Sequence, residues 1–143
     1  MTWDEIHGDA WVIPPARYKT GAAVTLPLSN ATMKVLAEIP RIEGCDFPFS
    51  TDGRHPISGF STFKLRFDME CGVRGWRLHD LRRTARSLLS RAGVDPDLAE
   101  RCLGHAIIGV RGVYDRHRYL EEMRHAFERL ASQIDRIVKS AKQ

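Results

Sequence analysis

Five side chains in this sequence have the chemistry to cut a phosphodiester without a metal: Lys19, His79, Arg82, His105 and Tyr114. That reaction needs a nucleophile, positive donors around the non-bridging oxygens and a proton for the leaving oxygen. A tyrosine can attack phosphorus and form a phosphotyrosyl ester. An arginine fork makes two charge-assisted hydrogen bonds to phosphate oxygens. Histidine donates a hydrogen bond or moves a proton near neutral pH, and a lysine beside the leaving oxygen can be the acid. Each part also has a plainer reading. A His-x-x-Arg pair arises often by chance, and His105, after Leu103-Gly104, could simply meet a helix dipole. Tyr114 could be an ordinary half-buried tyrosine and Lys19 an exposed turn lysine. A second, independently placed arginine is missing from the set. A metal site fits poorly, because His79, His105, His117 and His125 form no H-x-x-x-H pair with a carboxylate base.

The elements that must position these residues follow from pattern. Ala10–Ile13 is a short β-prone run stopped by Pro14-Pro15, and Ala22–Leu26 a second one ended by Pro27. They predict a hairpin with Lys19 at or near its turn. Ser29 or Asn30 caps a helix with Met33, Leu36 and Ile39 or Ala37 on one side, stopped by Pro40. Residues 41–59 read as a long loop packed down by Phe47 and Phe49. Ser61 is expected to cap the next helix, whose Phe60, Phe63, Phe67 and Cys71 read as core. From His79 to Ala92 the apolar residues Leu81, Ala85, Leu88, Leu89 and Ala92 predict a buried stripe, with His79, Arg82, Arg83 and Arg86 on the adjoining sector. Asp95-Pro96 opens a further helix and Gly104 stops it, so His105 emerges where the chain leaves that helix. The last helix starts near Tyr119 or Leu120, with Leu120, Met123, Phe127, Leu130, Ile134 and Ile137 as a stripe that must be buried in cis or in trans. The fold class is therefore α+β, mainly helical: a small antiparallel sheet followed by a helical bundle. Residues 1–28 form the hairpin region, 29–118 the helical core and 119–143 the C-terminal helix.

The 143 residues suit one domain with a sizeable core. The net charge is +4 and the pI about 9.2, which favours an anionic partner. Distribution says more than the total: Arg74, Arg77, Arg82, Arg83, Arg86 and Arg91 are opposed between 74 and 91 by Asp80 alone. That field suits a phosphate backbone, and equally a solvated helix face. Three cysteines, Cys45, Cys71 and Cys102, form no C-x-x-C pair and read as buried free thiols of a reducing compartment. No apolar run reaches the roughly 18 residues of a membrane span, and Asp4 and Glu5 stand where a signal peptide would be basic. A cytoplasmic protein is expected.

Taken together, Leu78-His79-Asp80-Leu81-Arg82-Arg83-Thr84, Leu103-Gly104-His105 and Val113-Tyr114-Asp115-Arg116-His117 resemble the tyrosine recombinase (phage-type integrase) family. Lys19-Thr20-Gly21 and Leu26-Pro27-Leu28-Ser29 resemble that family's hairpin lysine and strand exit. The resemblance covers nearly the whole chain, and the linked set is far more specific than any short motif. It implies DNA strand cleavage and rejoining through a 3′-phosphotyrosyl link, with no cofactor and no metal, as in integrases of prophages and genomic islands. Tyr114 would be the nucleophile and Arg82 the grip on the non-bridging oxygens. His79 would assist, His105 would donate to the phosphate in the transition state, and Lys19 would protonate the leaving oxygen. Arg77, Arg83 and Arg86 would contact the DNA backbone. The partners implied are a double-stranded attachment site and further copies of the chain on DNA, with helix 119–143 able to pack in trans. The family's Thr-Gly-x-Arg-x-x-Glu segment, with its first catalytic arginine, has no counterpart here, and Arg17 and Arg41 lie in the wrong context to replace it. The sequence thus reads as a catalytic domain truncated at its start, weakly active or inactive alone. The rival reading is a catalytically dead remnant that binds DNA or an integrase.

Overall fold

A computed structural model describes residues 1–19, 21–105 and 117–141. Tyr114 lies outside the described residues. Three antiparallel strands, β1 (Ile6–His7), β2 (Ala10–Ile13) and β3 (Val24–Pro27), form one sheet in that order. Trp11 faces Ile6 on one side and Leu26 on the other, which fixes the register. The pattern anticipated β2 and β3. β1 was hidden in a stretch that reads as polar, because Gly8 at φ +60° and Asp9 turn the chain after only two residues. Lys19 lies in the β2–β3 connection and is exposed.

Glu5 fastens this sheet to the chain's start. Its buried carboxylate accepts from the Trp11 Nε1–H at 3.0 Å, the Thr2 N–H at 3.0 Å and Arg17 Nη1 at 2.5 Å. Burial opposes ionisation of Glu5, but these donors outweigh it and hold the carboxyl below its usual range.

Five helices are described: α1 (Asn30–Glu38), α2 (Phe60–Cys71), α3 (Leu78–Arg91), α4 (Pro96–Cys102) and α5 (Leu120–Ser140). Ser29 caps α1 through the Thr32 N–H, and the Asn30 N–H donates to Glu128 of α5 at 2.6 Å. Asp95 caps α4, with Pro96 in its first turn. The core lies where α3, α4 and α5 meet. Leu89, Val94, Ala99, Cys102, Met123 and Ala126 are buried there, flanked by Leu98, Leu120, Phe127 and Leu130. The first half of α5 thus packs in cis, with β3 also against it. Its last turns leave Ile134, Ile137 and Val138 exposed.

Several sequence expectations are corrected here. α2 begins at Phe60 behind a left-handed Gly59, not behind a Ser61 cap. Phe60, Phe63 and Phe67 are exposed rather than core: Trp76 packs edge-on against Phe67, and the three phenylalanines line an open groove instead of a closed core. The Trp76 indole N–H donates to Asp68 at 2.8 Å, and its ring meets Phe67 edge-on and lies under the Lys64 ammonium. Leu81, expected in the buried stripe of α3, is 60% exposed, and with Leu78 it opens towards α2 as one wall of an apolar groove of about 560 Å³. In the loop at 41–59 Cys45 and Pro48 are buried and Phe47 half-buried, while Phe49 is exposed. Of the thiols, Cys45 and Cys102 are buried and Cys71 is exposed.

Two measurements check this packing. Leu89 is 0% exposed, so Leu89→Ala should cost about 2–5 kcal/mol in urea unfolding, whereas Leu81→Ala should stay within about 0.5 kcal/mol. Equal losses would contradict the assigned core. Burial pushes the Cys102 thiol up to about 11, so little reactive thiolate exists there at neutral pH. A thiol reagent should therefore label Cys71 rapidly, and Cys45 and Cys102 only after denaturant is added.

Candidate active site

The site is built around the end of α4. There the Gly104 N–H bonds to Arg101 O at 2.8 Å and the His105 N–H to Glu100 O at 3.0 Å. This paired closure of a helix C-terminus requires a left-handed residue between the two, and Gly104 supplies it at φ +66°. It leaves the carbonyls of Leu103 and Gly104 turned outward. Arg82 of α3 donates from Nη2 to Leu103 O. The Tyr18 hydroxyl donates to Gly104 O at 3.3 Å. The turn therefore gathers the strand connection carrying Lys19, the arginine of α3 and His105 itself, residues far apart in the chain.

The His105 ring is fixed by a group that the sequence reading passed over. Glu100, five residues earlier, meets His105 Nδ1 with Oε2 at 2.5 Å and accepts from Arg86 Nε with Oε1 at 2.7 Å. Its carboxyl lies below the ordinary range, chiefly through the bond from Arg86 and then that from His105. The available signal was Glu100 one turn before the helix stop, facing an arginine-bearing helix. Tyr18 was also missed; its place beside Lys19 suggested no partner.

Asp80 has a role as well. It accepts from the Arg77 N–H at 2.8 Å and from Arg83 Nη1 at 3.1 Å, so it closes the first turn of α3. Its carboxyl is lowered, first by the Arg77 backbone bond and, against the opposing effect of burial, also by the Arg83 charge and bond. The cap orients the turn that carries His79, which is exposed one turn before Arg82.

The other cations divide by partner. Arg86 is taken up by Glu100 and by Ser90 Oγ at 2.5 Å. Arg83 is exposed beside Asp80, and Arg77 is exposed at the cap position. Arg17 pairs with Glu5, and the Arg41 guanidinium stacks on Trp3 at 4.2 Å, so both have structural duties. A cleft of about 450 Å³ opens beside the turn, lined among others by Tyr18, Thr25, Arg101, His105 and Arg118. The nucleophile candidate Tyr114 falls outside the described residues, so its distance from this cleft is not part of the geometry. Among the described residues no cluster of three or more His, Cys, Asp or Glu side chains is arranged to hold a metal ion, and no helix is long and apolar enough to cross a membrane.

A small three-stranded antiparallel sheet followed by a mainly helical body is the fold class that the recombinase resemblance implies. The chain belongs to the phage integrase family, whose profile matches residues 1–121. It is also 33% identical over 129 residues to the prophage integrase IntA of Escherichia coli (strain K12). That alignment covers 85% of this chain and 31% of the relative, so the chain spans about a third of that protein's length. No solved structure matches the chain significantly.

Gly104 offers a direct test of the turn. A Cβ there would stand 2.8 Å from the Tyr18 hydroxyl, on a backbone that L residues rarely adopt. Gly104→Ala should lose about 1–2 kcal/mol from the left-handed backbone alone, and more from the contact. Adding Tyr18→Phe should recover only the contact part, so the two changes should be non-additive in urea unfolding. Simple additivity would show that Tyr18 does not sit on Gly104.

Proposed function

We propose that this chain is the catalytic part of a site-specific DNA recombinase that cuts and rejoins DNA through a 3′-phosphotyrosyl intermediate, as a prophage or genomic-island integrase. The observation that carries this reading is the convergence at residues 103–105, where the α3 arginine and the strand connection of Lys19 meet the turn that presents His105. Arg82 has five N–H donors, and one on Leu103 O leaves the others for the non-bridging oxygens. His105 donates to the phosphate as charge develops, and His79 assists from the turn before Arg82. Lys19 gives its proton to the 5′ leaving oxygen as Tyr114 Oη bonds to phosphorus.

Double-stranded DNA carrying the attachment site is the substrate, with Arg77 and Arg83 as exposed backbone contacts. Arg86 contributes less than its position in the sequence suggests, since Glu100 and Ser90 occupy it. Other copies of the chain join on DNA, and the exposed end of α5 at Ile134, Ile137 and Val138 is the surface through which its last turns pack in trans.

These residues alone should cut slowly or not at all. The family's Thr-Gly-x-Arg-x-x-Glu segment is not in the sequence, and removing one donor from a developing anion costs about 10²–10³ in rate.

The test is a nicked suicide duplex carrying the attachment site, assayed for a covalent protein–DNA adduct by denaturing electrophoresis. A slow adduct that vanishes with Tyr114→Phe is expected. An adduct that survives Tyr114→Phe would remove the nucleophile assignment. Salt-dependent binding with no adduct would instead favour a DNA-binding remnant.

A further inference from the structure

Glu100 holds a place in this site that the reaction, as derived above, does not use. One of its oxygens meets a ring nitrogen of His105 and the other is held by a guanidinium. Arg86 Nε at 2.7 Å on Oε1 stops the carboxylate from rotating, so Oε2 stays on Nδ1 at 2.5 Å. Arg86 is itself braced by Ser90 from its own helix. The chain therefore runs from α3 through α4 into the ring.

A carboxylate only accepts hydrogen bonds. Nδ1 must therefore carry a proton to meet it, and the ring orientation is set by the same contact. Among the described residues Nε2 has no hydrogen-bond partner, and His105 lines the cleft. Among the described residues, the charged and titratable groups about this ring are Glu100 and Arg101 of α4, Arg82 and Arg86 of α3, Tyr18 from the strand connection and Arg118 before α5.

We propose that Glu100 is a positioning residue which, anchored by Arg86, locks a proton on Nδ1 of His105 and keeps Nε2 for the scissile phosphate. This rests on the reading of His105 as a phosphate donor. With Nδ1–H committed to Glu100, Nε2 can donate only from the doubly protonated ring. The bond to the phosphate oxygen is then a charge-assisted one, stronger than that from a neutral imidazole. No covalent step is added: the Nδ1 proton stays between His105 and Glu100 while the Nε2 proton is shared with the phosphate.

The near-isosteric Glu100→Gln makes an unusual demand. Arg86 can only donate, so it would claim the amide oxygen and leave the NH2 group facing Nδ1. Nδ1 would then have to accept, and in the neutral ring the proton should move to Nε2. Long-range ¹H–¹⁵N correlation of the imidazole reads this directly in the full chain. The expected result is Nδ1–H in the wild type, Nε2–H in E100Q and a mixture of both in Glu100→Ala. The same protonated nitrogen in all three would overturn the proposal. On the suicide duplex at saturating protein, E100Q should slow adduct formation about tenfold or more, as loss of an outer partner of a functional histidine does. An adduct that forms at the wild-type rate in E100Q would also overturn the proposal while leaving the recombinase reading intact. If the wild type forms no adduct, as the missing arginine segment allows, the lock is decided by the ring signals alone.

Discussion

The closure of α4 at Leu103-Gly104-His105 is the constraint on which the site depends. A helix ends with carbonyls that no longer find partners within it, and with the negative end of its dipole. Here two such carbonyls are used as anchors. Arg82 comes to Leu103 O from the neighbouring helix and the Tyr18 hydroxyl comes to Gly104 O from the sheet. A residue with a Cβ at 104 would resist the left-handed turn and collide with Tyr18. The glycine thus does two things at once: it reverses the backbone so that His105 leaves the helix, and it lets another segment approach closely enough to be bonded.

The core fixes this turn in space. α4 is only seven residues long and could not persist alone. It is held because Ala99 and Cys102 are buried against Leu89 of α3 and Met123 and Ala126 of α5. The same α3 that contributes Leu89 presents Arg82 and Arg86 to α4 on its adjoining sector. Packing that buries one stripe therefore sets the distance from which the arginines reach Leu103 and Glu100. The geometry of this turn is inseparable from the phase of one helix.

Much of this was legible because it depends on local chemistry. Asp95-Pro96 and Gly104 announced the ends of α4, Ser29 or Asn30 the start of α1, and the 3.6-residue period separated Arg82, turned towards α4, from Arg83, which faces solvent. The tertiary partners were not legible. Nothing in the period of Phe60, Phe63 and Phe67 says whether another element covers them, and in the fold they line an open groove with Trp76, Leu78 and Leu81. Leu81 fits the stripe of α3 equally well, yet it faces the open groove beside α2 and remains exposed. β1 was missed because two residues carry no alternation to detect. Glu100 and Tyr18 were missed because their meaning lies in contacts with residues 14 and 86 positions away.

The same distinction changes how the arginine cluster should be weighed. Counted along the chain, residues 74–91 carry six arginines against one aspartate. In the fold those charges are not equivalent. Arg86 is neutralised by Glu100, Arg83 is shared with Asp80, and Arg82 spends one donor on a carbonyl. A guanidinium already held at a fixed place loses less freedom on meeting an anion than a solvated one, and an anchored fork aims its remaining donors. A raw count of positive charge therefore overstates the general attraction to polyanions and understates the directed one. What the fold concentrates at the end of α4 is orientation: one arginine with donors to spare, one histidine with a nitrogen to spare, and the partners that keep both from turning away.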